Sequence, residues 1–448
     1  MNYLVSFVSL GCDKNLVDSE HMLGLLNQGG FTLTGEEQKA DVIVVNTCCF
    51  IEDAKKESIE NILEVAQYKE TGNCKALIVT GCMAQRYKEE ILNEIEEVDA
   101  VVGTTSYDKI VDIANGILEQ KGLRTQSFDL IDREMLDEMP RILTTAGYFA
   151  YLKISEGCDK HCTYCIIPKL RGKYRSRKME KIIAEAQKLA QDGVSELILV
   201  AQDTTEYGRD LEDASLAKLL HELGKIEGIE WIRVLYCYPE SITDELIEEI
   251  KNNPKVCKYL DIPIQHAADP VLKRMARRSS LAQLHERIGK LRSEIPGISL
   301  RTTLIVGFPG ETEEDFNVLY NFVKEMRFDR LGVFTYSQEE GTPAAKFEDQ
   351  IDEKTKVKRR DAIMALQHGI SQELTAAKVG QVMKVLIEGK ITDEDVYIGR
   401  TYQDAPDIDG EVFVEYAGEL ISGDFVDVRI TEANDYDLIG EIVDEYSE

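Results

Sequence analysis

Three cysteines stand in one stretch, Gly157-Cys158-Asp159-Lys160-His161-Cys162-Thr163-Tyr164-Cys165-Ile166-Ile167-Pro168, at the spacing C-x3-C-x2-C. Three thiolates can hold three corners of a cubane iron–sulfur cluster. The fourth iron then has no protein ligand and is open to a small chelating molecule. Zinc is a competing reading, but zinc favours paired C-x2-C units and a fourth ligand. His161 could supply that ligand, yet it is wedged between two of the cysteines and is expected to face solvent. A structural disulfide fits the pattern less well still.

Three further cysteines, Cys12, Cys48 and Cys82, each follow a short apolar run of strand type. In open α/β sheets, ligands collect in the crevice beyond the carboxyl ends of the strands. A single cysteine there is more often a small buried apolar residue. Three at equivalent strand ends point instead to a second three-cysteine cluster. Cys49 adjoins Cys48 and is expected to point the other way, while Cys74, Cys237 and Cys257 have no such placement.

The elements that must position these groups alternate. Strands are expected over Asn2 to Leu10, Asp41 to Asn46, Ala76 to Thr80 and Ala100 to Val102. Helices are expected over Asn15 to Gln28, Ile51 to Tyr68, Gln85 to Glu97 and Tyr107 to Gln120. The alternation implies a parallel sheet with helices on both faces. Residues 121–143 read as a charged linker. Beyond it, about six strand–helix units suggest a partial (β/α)6 barrel with its site at the strand C-termini. These include one long helix from Pro270 to Ile295, and Lys354 to Thr375 reads as a connecting helix. From Lys378 onward, short alternating strands between Gly and Asp turns suggest a small antiparallel β-barrel. The expected class is therefore α/β, with domains at 1–121, 144–372 and 375–443.

Composition narrows the function. The longest apolar runs, such as Leu197 to Ala201, are strand-length, so no membrane span is expected. Tyr3 to Leu10 before Gly11-Cys12 is too short, and lacks the preceding Lys or Arg, to be a secretory signal. Ten cysteines outside any dense framework suit a reducing cytoplasm and metal ligation. The net charge of −30 repels polyanions and favours a basic partner. From Lys378 to the end, five bases face nineteen acids. Arg171, Lys173, Arg175, Arg177 and Lys178 form a basic run, read as a solvated face or as an attractor of acidic groups. Gly307-Phe308-Pro309-Gly310 is not a phosphate loop, since no G-K-[ST] follows. His266 reads as a satisfied buried histidine rather than a proton donor.

The motif C-x3-C-x-aromatic-C, with Tyr164 as the aromatic, resembles the cluster loop of radical S-adenosylmethionine enzymes. That resemblance implies a 4Fe–4S cluster on Cys158, Cys162 and Cys165, whose open iron chelates S-adenosylmethionine and cleaves it to a 5′-deoxyadenosyl radical. It places Tyr164, Gln202, Gln265, Gly307 and Glu311 around the cofactor, with no catalytic residue beyond the cluster ligands. Ser9 to Glu20, Asn46 to Ile51 and Gly81 to Tyr87 look like the N-terminal domain of the methylthiotransferases, and the last module resembles TRAM. The likeness carries a second 4Fe–4S cluster onto Cys12, Cys48 and Cys82; at Cys49 the family commonly has a small residue.

Leu10-Gly11-Cys12-x-Lys14-Asn15-Leu16-Val17-Asp18-Ser19-Glu20 and the acidic last module resemble one branch of that family. Its substrate is an aspartate β-carbon in small-subunit ribosomal protein number twelve, a highly basic protein. The other branch modifies tRNA adenosine and would need a basic RNA surface, which this module lacks. A non-catalytic iron–sulfur carrier is a more distant reading. The resemblance further implies an electron donor such as flavodoxin or ferredoxin, and a sulfur donor.

Overall fold

The computed structural model describes residues 3–136 and 138–443; Asn2 of the first expected strand and Asp137 of the linker lie outside them. The first sheet contains β1 (Leu4–Ser9), β2 (Thr32–Leu33), β3 (Val42–Thr47), β4 (Ala76–Gly81), β5 (Ala100–Val102) and β6 (Thr125–Ser127). Its order is β2-β1-β3-β4-β5-β6, with every pairing parallel. All six residues of β3 and of β4 are buried, as the apolar runs Val42 to Val45 and Ala76 to Val79 require when helices cover both faces.

Six helices accompany this sheet: α1 (Asp13–Gln28), α2 (Glu52–Ala66), α3 (Tyr68–Thr71), α4 (Cys82–Tyr87), α5 (Glu89–Glu94) and α6 (Ile110–Glu119). The single helix expected over Gln85 to Glu97 is in fact two, α4 and α5. They are broken at Lys88, whose φ of 45° lies outside the helical region. The expected linker is likewise part structure, since β6 extends the first sheet.

The second sheet is built from β7 (Phe149–Lys153), then β10 (Glu196–Val200), β11 (Trp231–Val234), β12 (Val256–Asp261), β13 (Ser299–Val306) and β14 (Arg330–Thr335). A two-stranded ribbon of β8 (Ser155–Glu156) and β9 (Arg175–Ser176) intervenes. The order β14-β13-β12-β11-β10-β7 is parallel throughout, with β7 and β14 as its two edges. The helices are α7 (Ile167–Arg171), α8 (Met179–Gln191), α9 (Leu216–Leu223), α10 (Asp244–Asn252), α11 (Asp269–Arg274), α12 (Leu281–Glu294), α13 (Glu313–Met326) and α14 (Glu353–Ala376). The helix expected over Pro270 to Ile295 is split into α11 and α12. Ala276 has a φ of 57°, and Ser280 with Gln283 forms a reciprocal capping box that starts α12.

The last module is a closed barrel of β15 (Val382–Lys390), β16 (Val396–Thr401), β17 (Val412–Glu415), β18 (Phe425–Ala433) and β19 (Leu438–Ile442), in the order β15-β16-β17-β19-β18. Its pairings are antiparallel except β17 with β19, which is parallel. The barrel seats on the second sheet near the strand starts. Leu386 and Ala405 join Phe149, Ile198, Trp231 and Tyr259 in one apolar cluster. Buried ion pairs fasten the seat: Arg400 with Glu196, and Arg330 with Asp404. No described helix is long and apolar enough to cross a membrane.

Candidate functional site

Cys12, Cys48 and Cys82 follow β1, β3 and β4, which are neighbours in the sheet. Ser9 is in register with Asn46, and Thr47 with Gly81, so the three strands end level and their cysteines stand side by side. Asn15 staples the ends together: its Nδ2 donates to Leu10 O at 2.9 Å and to Thr47 O at 3.0 Å. Asn46 Nδ2 returns donations to Asn15 O and Ser19 Oγ. Gly11 has φ 93°, and a Cβ there would lie 2.7 Å from Cys48 Cβ and 3.0 Å from its sulfur. Only glycine lets the Cys12 loop approach Cys48 so closely. Cys12 is exposed and Cys48 half-buried, whereas Cys49 turns into the apolar core. Burial pushes the Cys48 thiol up to about 11.

The second set lies on the loop before α7. Gly157, at φ 83°, sits where a Cβ would meet Lys173 O at 2.1 Å. The loop is pinned by Cys158 N–H on Gly172 O, Thr163 N–H on Met275 O and Thr163 Oγ1 on Arg274 O. His161 is exposed. Lys160 reaches Asp203 at 3.0 Å and lies 4.0 Å from the Tyr238 ring centre, tying the cysteine loop to the ends of β10 and β11. Burial raises the Cys158 thiol to about 11.

Tyr164 is a half-buried ring set edge-on to Phe308. Gln202 donates from Nε2 to Glu156 at 2.7 Å, and its Oε1 is buried without a partner. Gln265 has a left-handed φ of 70°, bridges to Leu304, and likewise leaves Oε1 buried and unpartnered. A non-glycine residue in that conformation at a strand end is strain of the kind found at binding sites. Gly307 and Glu311 instead belong to the turn packed on α14. A Cβ on Gly307 would meet the Lys356 side chain, and Glu311 accepts from Phe308 N at 3.0 Å and from Arg359 at 3.1 Å. Burial pushes the Glu311 carboxyl up to about 7 despite Arg359. His266 is fully buried and accepts at Nδ1 from Ala268 N, while its Nε2 makes no hydrogen bond and lies 3.9 Å from Glu311 Oε2.

Sequence reasoning missed Arg277, which lies 4.3 Å from the Tyr238 ring centre and interacts electrostatically with Tyr164 and Cys162. Its Nε and Nη1 are buried without hydrogen-bond partners. Nothing in the sequence marks it, because the break before α12 is invisible in the helical pattern. The basic run needs correction. Arg171 and Arg177 are buried, Arg171 among Asn15, Asp18, Glu156 and Cys82, and Arg177 on Glu185 and Lys153 O. Only Lys173 and Lys178 of that run are fully exposed.

The two cysteine sets share one side of the molecule. Lys14, two residues past Cys12, lies 3.2 Å from the ring centre of Tyr236, two residues past β11. Tyr236 Oη donates to Asp13 at 3.1 Å. Among the described residues no three His, Cys, Asp or Glu side chains gather closely enough for a single metal ion. The ligands of a cubane, one thiolate per iron, stand farther apart. Soft thiolate donors, left-handed strand ends at Tyr236 (φ 61°) and Gln265, and orphaned donors and acceptors on Arg277, Gln202 and Gln265 fit an iron–sulfur cluster beside a polar cofactor.

Comparison with known proteins adds to this geometry. Residues 4–103 match the family model described as uncharacterized protein family UPF0004, residues 152–323 the radical SAM superfamily, and residues 379–443 the TRAM domain. The ribosomal protein uS12 methylthiotransferase RimO of Lachnoclostridium phytofermentans is 59% identical over 97% of this chain and 99% of its own. The protein of the same name from Clostridioides difficile is 53% identical over 98% of each. Among solved structures, the radical S-adenosylmethionine methyltransferase TsrM of Kitasatospora setae aligns with a TM-score of 0.57 over 77% of each chain at 15% identity, a likeness of fold.

Proposed function

The chain belongs to the RimO family of ribosomal protein uS12 methylthiotransferases, which are radical S-adenosylmethionine enzymes, and on that premise we propose that it methylthiolates an aspartate β-carbon of uS12. The observation that carries the reading is the pair of three-cysteine sets on one side of the molecule. When bound, a 4Fe–4S cluster on Cys158, Cys162 and Cys165 supplies the electron that splits S-adenosylmethionine, and a second on Cys12, Cys48 and Cys82 holds the sulfur to be transferred.

The chain's own residues bind, orient and exclude. Tyr164, Gln202 and Gln265 offer a ring face and two free amide oxygens to the cofactor, with Gly307 and Glu311 shaping the turn behind it. Arg277 presents two nitrogens, Nε and Nη1, without hydrogen-bond partners and interacts electrostatically with Cys162, which suits an anionic group. Division of labour follows the proposed domains: 1–121 for the auxiliary cluster, 144–372 for the radical chemistry and 375–443 for the substrate.

The acidic barrel supports a basic protein over an RNA. Arg400 is engaged with Glu196 and Glu388, and Lys384 with Glu230. Glu394, Asp395, Glu415 and Glu441 ring an open groove beside Tyr416. A surface of this sign attracts a basic partner and repels phosphates. An electron donor of the flavodoxin or ferredoxin type and a sulfur donor complete the reading.

Anaerobic turnover tests it, with reductant, S-adenosylmethionine, sulfide, a tRNA pool and a peptide spanning the uS12 aspartate loop. A methylthio group on the peptide aspartate alone is expected by mass spectrometry. An adduct on tRNA adenosine would overturn the substrate.

A further inference from the structure

Arg171 ends α7 and is 2% exposed. Its Nη2 lies 2.6 Å from Asn15 Oδ1 and 3.5 Å from Cys82 Sγ; its Nη1 lies 2.6 Å from Asp18 Oδ2 and 3.2 Å from Glu156 Oε2. Lys153 pairs with the same two carboxylates, Asp18 and Glu156. Two cations and two carboxylates therefore balance, and the second guanidinium nitrogen is turned toward a sulfur. The helix that carries Arg171 begins beside the other cysteine set, where the Ile167 N–H rests on Cys165 Sγ at 3.4 Å. One short helix thus touches a sulfur of each set.

Resting on the reading of Cys82 as a ligand of a second cluster, we propose that Arg171 is a positioning residue that donates an N–H to the Cys82 thiolate and raises the reduction potential of the auxiliary cluster. A reduced cluster carries one more negative charge. A hydrogen bond to a ligating sulfur and a fixed cation in a dry site both favour that state. The planar fork is what allows one side chain to serve Asp18 and Cys82 at once; a lysine is a point charge and cannot.

The test uses the full chain with Cys158, Cys162 and Cys165 each replaced by Ala, reconstituted anaerobically with iron and sulfide. Dithionite supplies electrons, and the reduced signal is read by electron paramagnetic resonance against potential. Absence of any cluster in this parent removes the two-cluster reading itself. With the cluster present, Arg171→Met is expected to lower the reduced-to-oxidised ratio at a fixed potential about tenfold, a negative shift of about 59 mV for one electron. Arg171→Lys keeps the charge and shifts less. Asp18→Asn breaks the same ion pair without touching sulfur, and removing its negative charge shifts the potential the opposite way. An unmoved midpoint in Arg171→Met, or shifts of one sign in Arg171→Met and Asp18→Asn, would make Arg171 an ion-pair partner only. If Arg171→Met does not fold, Arg171→Lys against Asp18→Asn carries the same comparison.

Discussion

At the residue scale, the neighbours of Cys12 hold the strand ends and join the blocks. Asn15 staples two strand ends, Asp18 pairs with Lys153 of the second sheet and Arg171 of α7, Glu20 reaches the linker, and Ser19 bonds Ser9 and Asn46. Those partners are distant in sequence, so no local pattern could name them. Replacing Cys82 by Ala should about halve the iron bound per reconstituted chain while S-adenosylmethionine cleavage persists, checked by iron analysis and by 5′-deoxyadenosine release. Two titrations of opposite sign should also appear. Burial lowers the His21 imidazole to about 4, so the unfolded chain takes its proton first as pH falls below 6.5. That residue's contribution is intact above pH 6.5 and costs roughly 2 kcal/mol of stability by pH 5. Glu311, raised to about 7, works the other way. Its contribution is fully present below pH 4.5 and is lost as pH rises through 7, by roughly 3 kcal/mol at pH 8. Unfolding midpoints should therefore fall less toward pH 5 in His21→Gln, and fall less toward pH 8 in Glu311→Gln.

At the element scale, the strands that carry cysteines were plain from their apolar runs, whereas β2 and β6 were not. Thr32–Leu33 and Thr125–Ser127 are short, polar edge strands whose pairing depends on the strand beside them. The linker looked like a spacer because it is charged; its charges are in fact used. Glu20 is fully buried and accepts from Arg141 at 2.6 Å and 2.9 Å and from Thr144 N at 2.7 Å, stitching the linker to α1. Glu20→Ala would leave Arg141, paired otherwise with Glu185, half-compensated in a dry site. The expected cost is about 3–5 kcal/mol, read as a lower thermal midpoint with faster proteolysis between residues 128 and 145. Charged substitutions on the exposed face of α5 should change neither.

At the scale of the whole molecule, the three-block order was readable because a charged linker parts two runs of strand–helix units and the last block changes to short strands alone. How the blocks meet was not, since interfaces are made by isolated long side chains. The barrel is the clearest case. Arg233 donates to Tyr402 O, Arg301 pairs with Asp409, and Tyr259 Oη donates to Asp409 at 2.8 Å. Chains ending before Val379 would expose the apolar seat and leave Glu196, Arg233, Arg301 and Arg330 without barrel partners. Such a truncation is expected to lose most of its soluble yield and unfold at markedly lower temperature, rather than behave as a free radical-enzyme core. A truncated chain as stable as the full one would show that the seat contributes nothing.

The contact between Arg171 and Cys82 spans 89 residues of chain. Translation is vectorial, so Cys12, Cys48 and Cys82 leave the ribosome before Arg171 exists. Until Arg171 arrives, these three thiols have no guanidinium beside them, and the neighbouring Asp18 lacks that partner. The nascent N-terminal region therefore carries its three thiols before it has the guanidinium that tunes them. Iron loaded on ribosome-bound chains that stop short of Arg171 should be harder to reduce than iron on chains elongated past it; equal ease of reduction would contradict that order.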